Sequence, residues 1–195
     1  MDAEHDTAGN MGYLRNQFLI AMPGLGDDDH FGQTVTLLCE HNNEGALGLV
    51  VNRPTDLKVT DMLAHLGLDA SELGDRDSPV FWGGPVQPER GFVVHVERGD
   101  WESTMAIDDA LFVTTSRDIL DAIAAGGGPQ QYLVLLGYAG WDAGQLESEI
   151  LHNAWLNTPV DQQILFRTPT TERWREATRL LGVDSTQLSA TAGHA

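Results

Sequence analysis

The sequence predicts an α+β fold, with a three-layer α/β sandwich as the near alternative. Three observations carry this. Short apolar runs bounded by Gly, Pro and Asn recur along the chain, and a few stretches between them switch to helical spacing. One run, Tyr132 to Gly137, is unbroken and apolar, which suits a strand buried on both faces. No internal repeat and no break in composition divides the 195 residues, a length that suits one domain.

In chain order, residues 1–12 read as a disordered N-terminal tail, 13–182 as a single domain and 183–195 as a C-terminal tail. Asn16 to Met22 is a buried strand stopped by Pro23, and Gly24 to His30 is an acidic loop. Thr34 to His41 and Ala46 to Asn52 flank Asn-Asn-Glu-Gly, which is a hairpin signal, and Pro54 stops the return strand. Val59, Met62, Leu63 and Leu66 repeat at helical spacing and Gly67 closes that helix; 67–78 is an acidic loop. Strands follow at Val80 to Trp82, Gly91 to Glu97, Thr104 to Ile107 and Leu111 to Thr115. Thr115 and Asp118 cap a helix over 116–125, ended by Gly126-Gly127-Gly128-Pro129. After the Tyr132 strand, Gly137 to Gly144 reads as a glycine-bracketed Tyr/Trp turn, and Asp142 with Gln145 has the spacing of a capping box for a helix over 143–152. Trp155-Leu156 and Ile164 to Phe166 read as edge elements. Thr168-Pro169 opens a last helix through Trp174, Ala177 and Leu181.

Composition narrows the function. The net charge is −18, from 29 acidic and 11 basic residues, and Lys58 is the single lysine. Duplex binding needs clustered Lys and Arg to displace phosphate counterions. The densest basic group, Arg173, Arg175 and Arg179, is interleaved with Glu172 and Glu176. Direct nucleic-acid binding is therefore not expected. Tyr132 to Trp141, the longest near-continuous apolar run, is too short for a membrane span, which needs ~20 residues. A polar N-terminus and one cysteine agree with a cytoplasmic location and no membrane contact.

Several residues stand out chemically. Glu147 falls on the apolar arc of its helix, with Leu146, Ile150 and Leu151, whereas Glu149 points to water. A carboxylate so placed is either a site group or half of an ion pair with Arg53 or Arg90. Cys39 and His41 lie two apart on a strand, which puts them on one face; a nucleophile with its base and a buried apolar thiol both fit. Asn52-Arg53-Pro54 ends a strand, and Arg53 or Arg90 could clamp an anion. Gly83-Gly84-Pro85 lacks the lysine of a phosphate loop and fits a tight bend as well as an anion cradle. Thr115-Ser116 serves a helix cap or an anion. The histidines make no metal-ligand pattern, and neither a metal nor a cofactor is expected.

Taken together and in order, these segments resemble the YqgE/AlgH family of bacterial proteins. The matching stretches are Phe18-Leu-Ile-Ala-Met-Pro23, Cys39-Glu-His-Asn42 with Gly45 to Pro54, Gly83-Gly-Pro-Val86, Arg90 to His95, Thr114-Thr-Ser116 with Asp118, 137–147 and Asn153-Ala-Trp-Leu156. They span about 14–182. The resemblance implies a mixed, bifurcated, barrel-like sheet flanked by helices, in a cytosolic protein to which no reaction is attached. The AlgH side of the name carries a label of transcriptional regulation. The cleft residues implied are Asn52, Arg53, Gly83, Gly84, Arg90, Thr115, Ser116, Gly140, Trp141, Glu147 and Asn153. The reading that follows is a regulatory or binding protein, leaning away from an enzyme, with one polar cleft for a small anionic ligand or a partner's polar segment. Two alternatives stand beside it. One is a hydrolase- or transferase-like enzyme with Glu147 as acid/base and Arg53 or Arg90 as anion clamp. The other is a transcriptional regulator that acts without touching DNA.

Overall fold

The apolar runs fold as strands of one large sheet. The structure is a computed structural model that describes residues 13–23 and 31–183, with 186 and 188. The rest of the expected tails and the acidic loop Gly24 to His30 lie outside the described residues. The strands are β1 Gln17–Ala21, β2 Val35–Asn42, β3 Gly45–Val50, β4 Pro54–Lys58, β5 Pro79–Trp82, β6 Val86–His95, β7 Thr104–Ala106, β8 Phe112–Thr114, β9 Tyr132–Asp142 and β10 Trp155–Pro159. The helices are α1 Val59–His65, α2 Asp118–Ala124, α3 Gln145–Leu151, α4 Gln162–Phe166 and α5 Arg173–Leu180.

The order β10-β1-β2-β3-β9-β6-β8-β7 runs along a sheet that curls into a half-barrel. Its pairs are antiparallel except β5 with β9, which is parallel. This is the α+β, barrel-like alternative rather than the flat three-layer sandwich. The bifurcation lies on one edge of β9. That edge pairs first with β5, through Leu135 and Leu136, and then with β3, from Ala139 to Asp142. Gly83, Gly84 and Gly137 sit at the fork, where backbones touch. A Cβ on Gly83 would lie 2.3 Å from Gly137 O, and one on Gly84 would lie 2.1 Å from Tyr138 C. Only glycine lets the chains approach so closely.

Three apolar clusters fix the layers. The largest fills the concave inner face with Phe18, Leu37, Leu49, Phe92, Val113 and Leu135, and α4 and α5 close it with Leu165 and Trp174. Arg173 is buried there, donating to Val51 O and Thr168 O under the face of Phe81. Its burial lowers the guanidinium to about 10. On the outer face, α1 and α2 pack on Val80, Val93 and Val134, while α3 packs Leu146 on Leu38, Trp141 and Trp155.

Several local expectations are corrected. The Tyr/Trp segment continues as strand to Asp142, because after the Gly137 kink Tyr138 pairs with Val86 of β6 and Ala139 to Asp142 pair with β3. Pro54 begins β4, an edge strand paired with β5, where a missing N–H is tolerated. β6 starts at Val86, before Pro88, across a register shift. Ile164 to Phe166 is helical, capped by Asp161 accepting from Gln163 N. A 3-10 stretch, Ser71–Arg76, occupies the expected acidic loop.

Candidate functional site

The inner cluster opens to solvent beside Phe92 and Val113, and the residues there form a cleft that serves as the mouth of the half-barrel. A cleft of about 350 Å³ is lined by Glu40, Leu47, Arg90, Phe92, Glu102, Ser103, Thr104, Met105, Val113 and Thr115. Barrel mouths of this size are common ligand sites. Arg90 is exposed, with its guanidinium carbon 5.1 Å from the Phe92 ring centre and 5.8 Å from that of Tyr138. The guanidinium is placed by cation–π contact with these rings, and none of its N–H groups joins an ion pair among the described residues. Gly140 pairs with Leu47, so its missing side chain belongs to the same inner face.

A β-bulge shapes this rim. The β2–β3 register slips between Leu38 and Glu40, so Glu40 pairs with Leu47 and His41 with Ala46. Cys39 points into the inner core, while His41 reaches the outer face. The expectation that Cys39 and His41 share a face is thereby overturned: the extra residue shifts the alternation by one. Cys39 is fully buried, and burial followed by the nearby Glu40 charge pushes its thiol far up.

Glu147 also has a different partner from either expected arginine. His41 Nε2 lies 2.8 Å from its carboxylate, and the Leu14 N–H donates to His41 Nδ1 at 2.9 Å. Nδ1 accepts, so Nε2 carries the proton and His41 is a neutral donor. Partial burial raises the Glu147 carboxyl, but its own backbone N–H and His41 outweigh that and hold it below the usual range. Glu149 does not point to water: it accepts from Trp141 Nε1 and Trp155 Nε1, both at 2.8 Å. Glu147 sits under α3 on the outer face and Arg90 in the inner mouth, so the sheet separates the acid/base from the clamp of the enzyme alternative.

The other candidates disperse. Asn52 accepts from Val35 N and donates to Gln33 O, and Arg53 donates to Gly32 O. Gly83 and Gly84 are at the fork, and the Gly83 N–H is spent on Leu136 O. Asn153 ends α3 at φ 59°, its N–H on Ile150 O. Ser116 donates to Asp118 and accepts from Ser103 N, which stabilises the start of α2. Arg90 and Thr115 are the candidates that line the mouth, and Gly140 lies beside it through its pairing with Leu47. A second cleft of about 380 Å³, mostly apolar, lies on the outer face against α1 and α2 and shares Phe92 and Thr115 with the mouth.

Sequence reading passed over one buried relay. His95 Nδ1 faces Glu97 O at 2.9 Å, which puts the proton there, and Nε2 then accepts from Thr114 Oγ1 at 2.7 Å. Thr104 Oγ1, at the mouth, is 2.8 Å from Thr114 Oγ1. Burial holds His95 below its usual value, so it stays a neutral acceptor. The only signal for it was a histidine and threonines inside strand-like runs. Among the described residues no group of three or more His, Cys, Asp or Glu is placed to hold a metal, and no helix is long and apolar enough to cross a membrane.

Comparison with known proteins agrees with this geometry. The AlgH-like family model matches residues 18–186. A UPF0301 protein of Methylococcus capsulatus is 52% identical over 184 residues, 93% of this chain and 96% of the relative. One from Thioalkalivibrio sulfidiphilus is 54% identical over 180 residues, 92% and 96% of the two chains. The solution structure of the AlgH protein from Pseudomonas aeruginosa matches with a TM-score of 0.77 at 46% identity, covering 100% of both chains. A Corynebacterium diphtheriae protein shares the fold alone, with a TM-score of 0.68 at 18% identity over 85% and 86% of the chains. The chain belongs to the AlgH-like family.

Proposed function

We propose that this AlgH-like chain is a cytoplasmic binding protein of regulatory type, not an enzyme, and that the mouth of the half-barrel takes a small ligand through an anionic group. One observation carries the reading. Arg90 lies in an open cleft, its guanidinium over the rings of Phe92 and Tyr138, with Thr115 on the same rim. Cation–π contact with two rings favours that position of the charge, and an arginine placed in advance loses less entropy on binding. Regulation in this reading does not pass through duplex DNA. The charge is −18, and Arg175 and Arg179 are paired with Glu172 and Glu176.

The test is an NMR titration with isocaproate, a simple branched carboxylate. Saturable shifts at Leu47, Met105 and Val113 are expected, and Arg90→Gln should weaken them about tenfold or more. Equal binding by Arg90→Gln, or shifts confined to α1 and α2, would refute the assignment. A salt-sensitive mobility shift with duplex DNA would refute the exclusion of nucleic acid.

A further inference from the structure

The mouth also carries two carboxylates, and they restrict which anion-bearing ligand it takes. With an unbroken β2, residue 40 would share the outer face with Leu38. The bulge turns Glu40 inward, beside Leu47. Bulges gather at barrel rims and re-aim side chains there. Glu102 stands on the loop before β7, and its backbone N–H donates to Asp118 Oδ2 at 2.8 Å, which anchors that wall. The ion pairs found among the described residues include neither Arg90 nor these two glutamates. Two carboxylates and one guanidinium thus surround a cleft of about 350 Å³ without neutralising one another in contact.

A plain anion brought to Arg90 would meet repulsion from Glu40 and Glu102, and a plain cation would meet Arg90. A molecule that carries both charges satisfies all three groups. Resting on the anion reading above, we infer that the mouth binds a small zwitterion, an α-amino acid with an apolar side chain. Its carboxylate faces Arg90, its ammonium faces Glu40 and Glu102, and its side chain covers Leu47, Met105 and Val113.

Leucine and isocaproate differ by the amino group alone, so the pair isolates the new claim. Calorimetric and NMR titrations of the full chain should show L-leucine binding about tenfold or more tightly than isocaproate. Glu40→Gln combined with Glu102→Gln should erase that difference, leaving isocaproate binding equal or tighter. Both glutamates are exposed, so the double variant should keep the wild-type melting temperature. Leucine amide, which lacks the carboxylate, should bind weakly, and Arg90→Gln should leave that binding equal or tighter, never weaker. Equal binding of leucine and isocaproate, with Arg90 still required, would overturn the zwitterion and leave the anion reading standing. No binding of either at about 10 mM would overturn both.

Discussion

The sheet around β3 and β9 has polar groups on both of its sides, and the two faces are built in opposite ways. Under α3, on the outer face, every carboxylate singled out is engaged: Glu147 with His41, Glu149 with two indole N–H groups. In the inner mouth Arg90, Glu40 and Glu102 face one cleft without contact pairs among themselves. Buried polar groups must be satisfied within the fold, whereas groups at a solvated rim can be held in place and left for a ligand. The outer face holds α3 on the sheet, and the mouth presents charge. Variants should separate these two behaviours, by stability on one side and by binding on the other.

The largest effect is expected at the fork that holds both faces together. Gly84→Ala would push a methyl to 2.1 Å from the Tyr138 backbone, and backbone cannot step aside as a flexible side chain can. A loss of about 3 kcal/mol or more is expected in urea denaturation. A loss below about 1 kcal/mol would mean that the fork is looser than its contacts and that mouth and outer face can move independently.

Next comes Glu149→Leu, at about 2 kcal/mol, since two indole N–H groups of buried tryptophans lose their acceptor. Tryptophan fluorescence reports the same change, because Trp141 and Trp155 both sit beside that carboxylate. An unchanged midpoint would show that the outer face is not held by this group, and the contrast with the mouth would fail.

Much of this architecture was legible in the sequence, and the gaps have physical causes. Apolar runs placed β1, β2, β3 and the first half of β9, because burial and period show in one strand alone. The continuation of β9 past Gly137 and the existence of β4 did not show, because each depends on a distant partner strand. The bulge was invisible for the same reason: it is a slip between two strands, and it moved Glu40 inward and His41 outward. The helical arc correctly marked Glu147 as partly buried but could not identify a partner that lies 106 residues away. Arg90 and Thr115 stood out by residue type and position, and Gly140 entered the candidate set by family resemblance. That Arg90 and Thr115 line one cleft, with Gly140 beside it, is a property of the curled sheet.

A smaller effect is expected from Glu147→Gln. The carboxylate side chain is 30% exposed and its partner is a neutral histidine, so an amide oxygen can accept the same Nε2–H bond. The cost should stay below about 1 kcal/mol. The pH dependence has a definite sign. Glu147 is held below its usual range in the fold, so its contribution is present above the unfolded carboxyl value and is lost as pH falls through the lower, folded value. Wild type and variant should therefore converge in acid. A loss of about 3 kcal/mol at neutral pH would instead indicate a buried ion pair with a charged His41.

The smallest effect on stability, and the largest on binding, is expected from Gly140→Leu. Gly140 is exposed and pairs with Leu47 at the rim, between Ala139 and Trp141, whose side chains face the outer cluster. A Cβ there would meet the Tyr138 ring at 3.5 Å, an ordinary contact, and no left-handed backbone is required. The fold should therefore accept the substitution within about 1 kcal/mol. The added side chain would share the inner face with Leu47, which lines the mouth, and is expected to crowd a ligand there. Binding of isocaproate and of leucine should be lost together, whereas Gly140→Ala should bind nearly as wild type does. Wild-type binding by Gly140→Leu would move the ligand out of the mouth and make the open rim a solvated surface of the same structural kind as the face under α3.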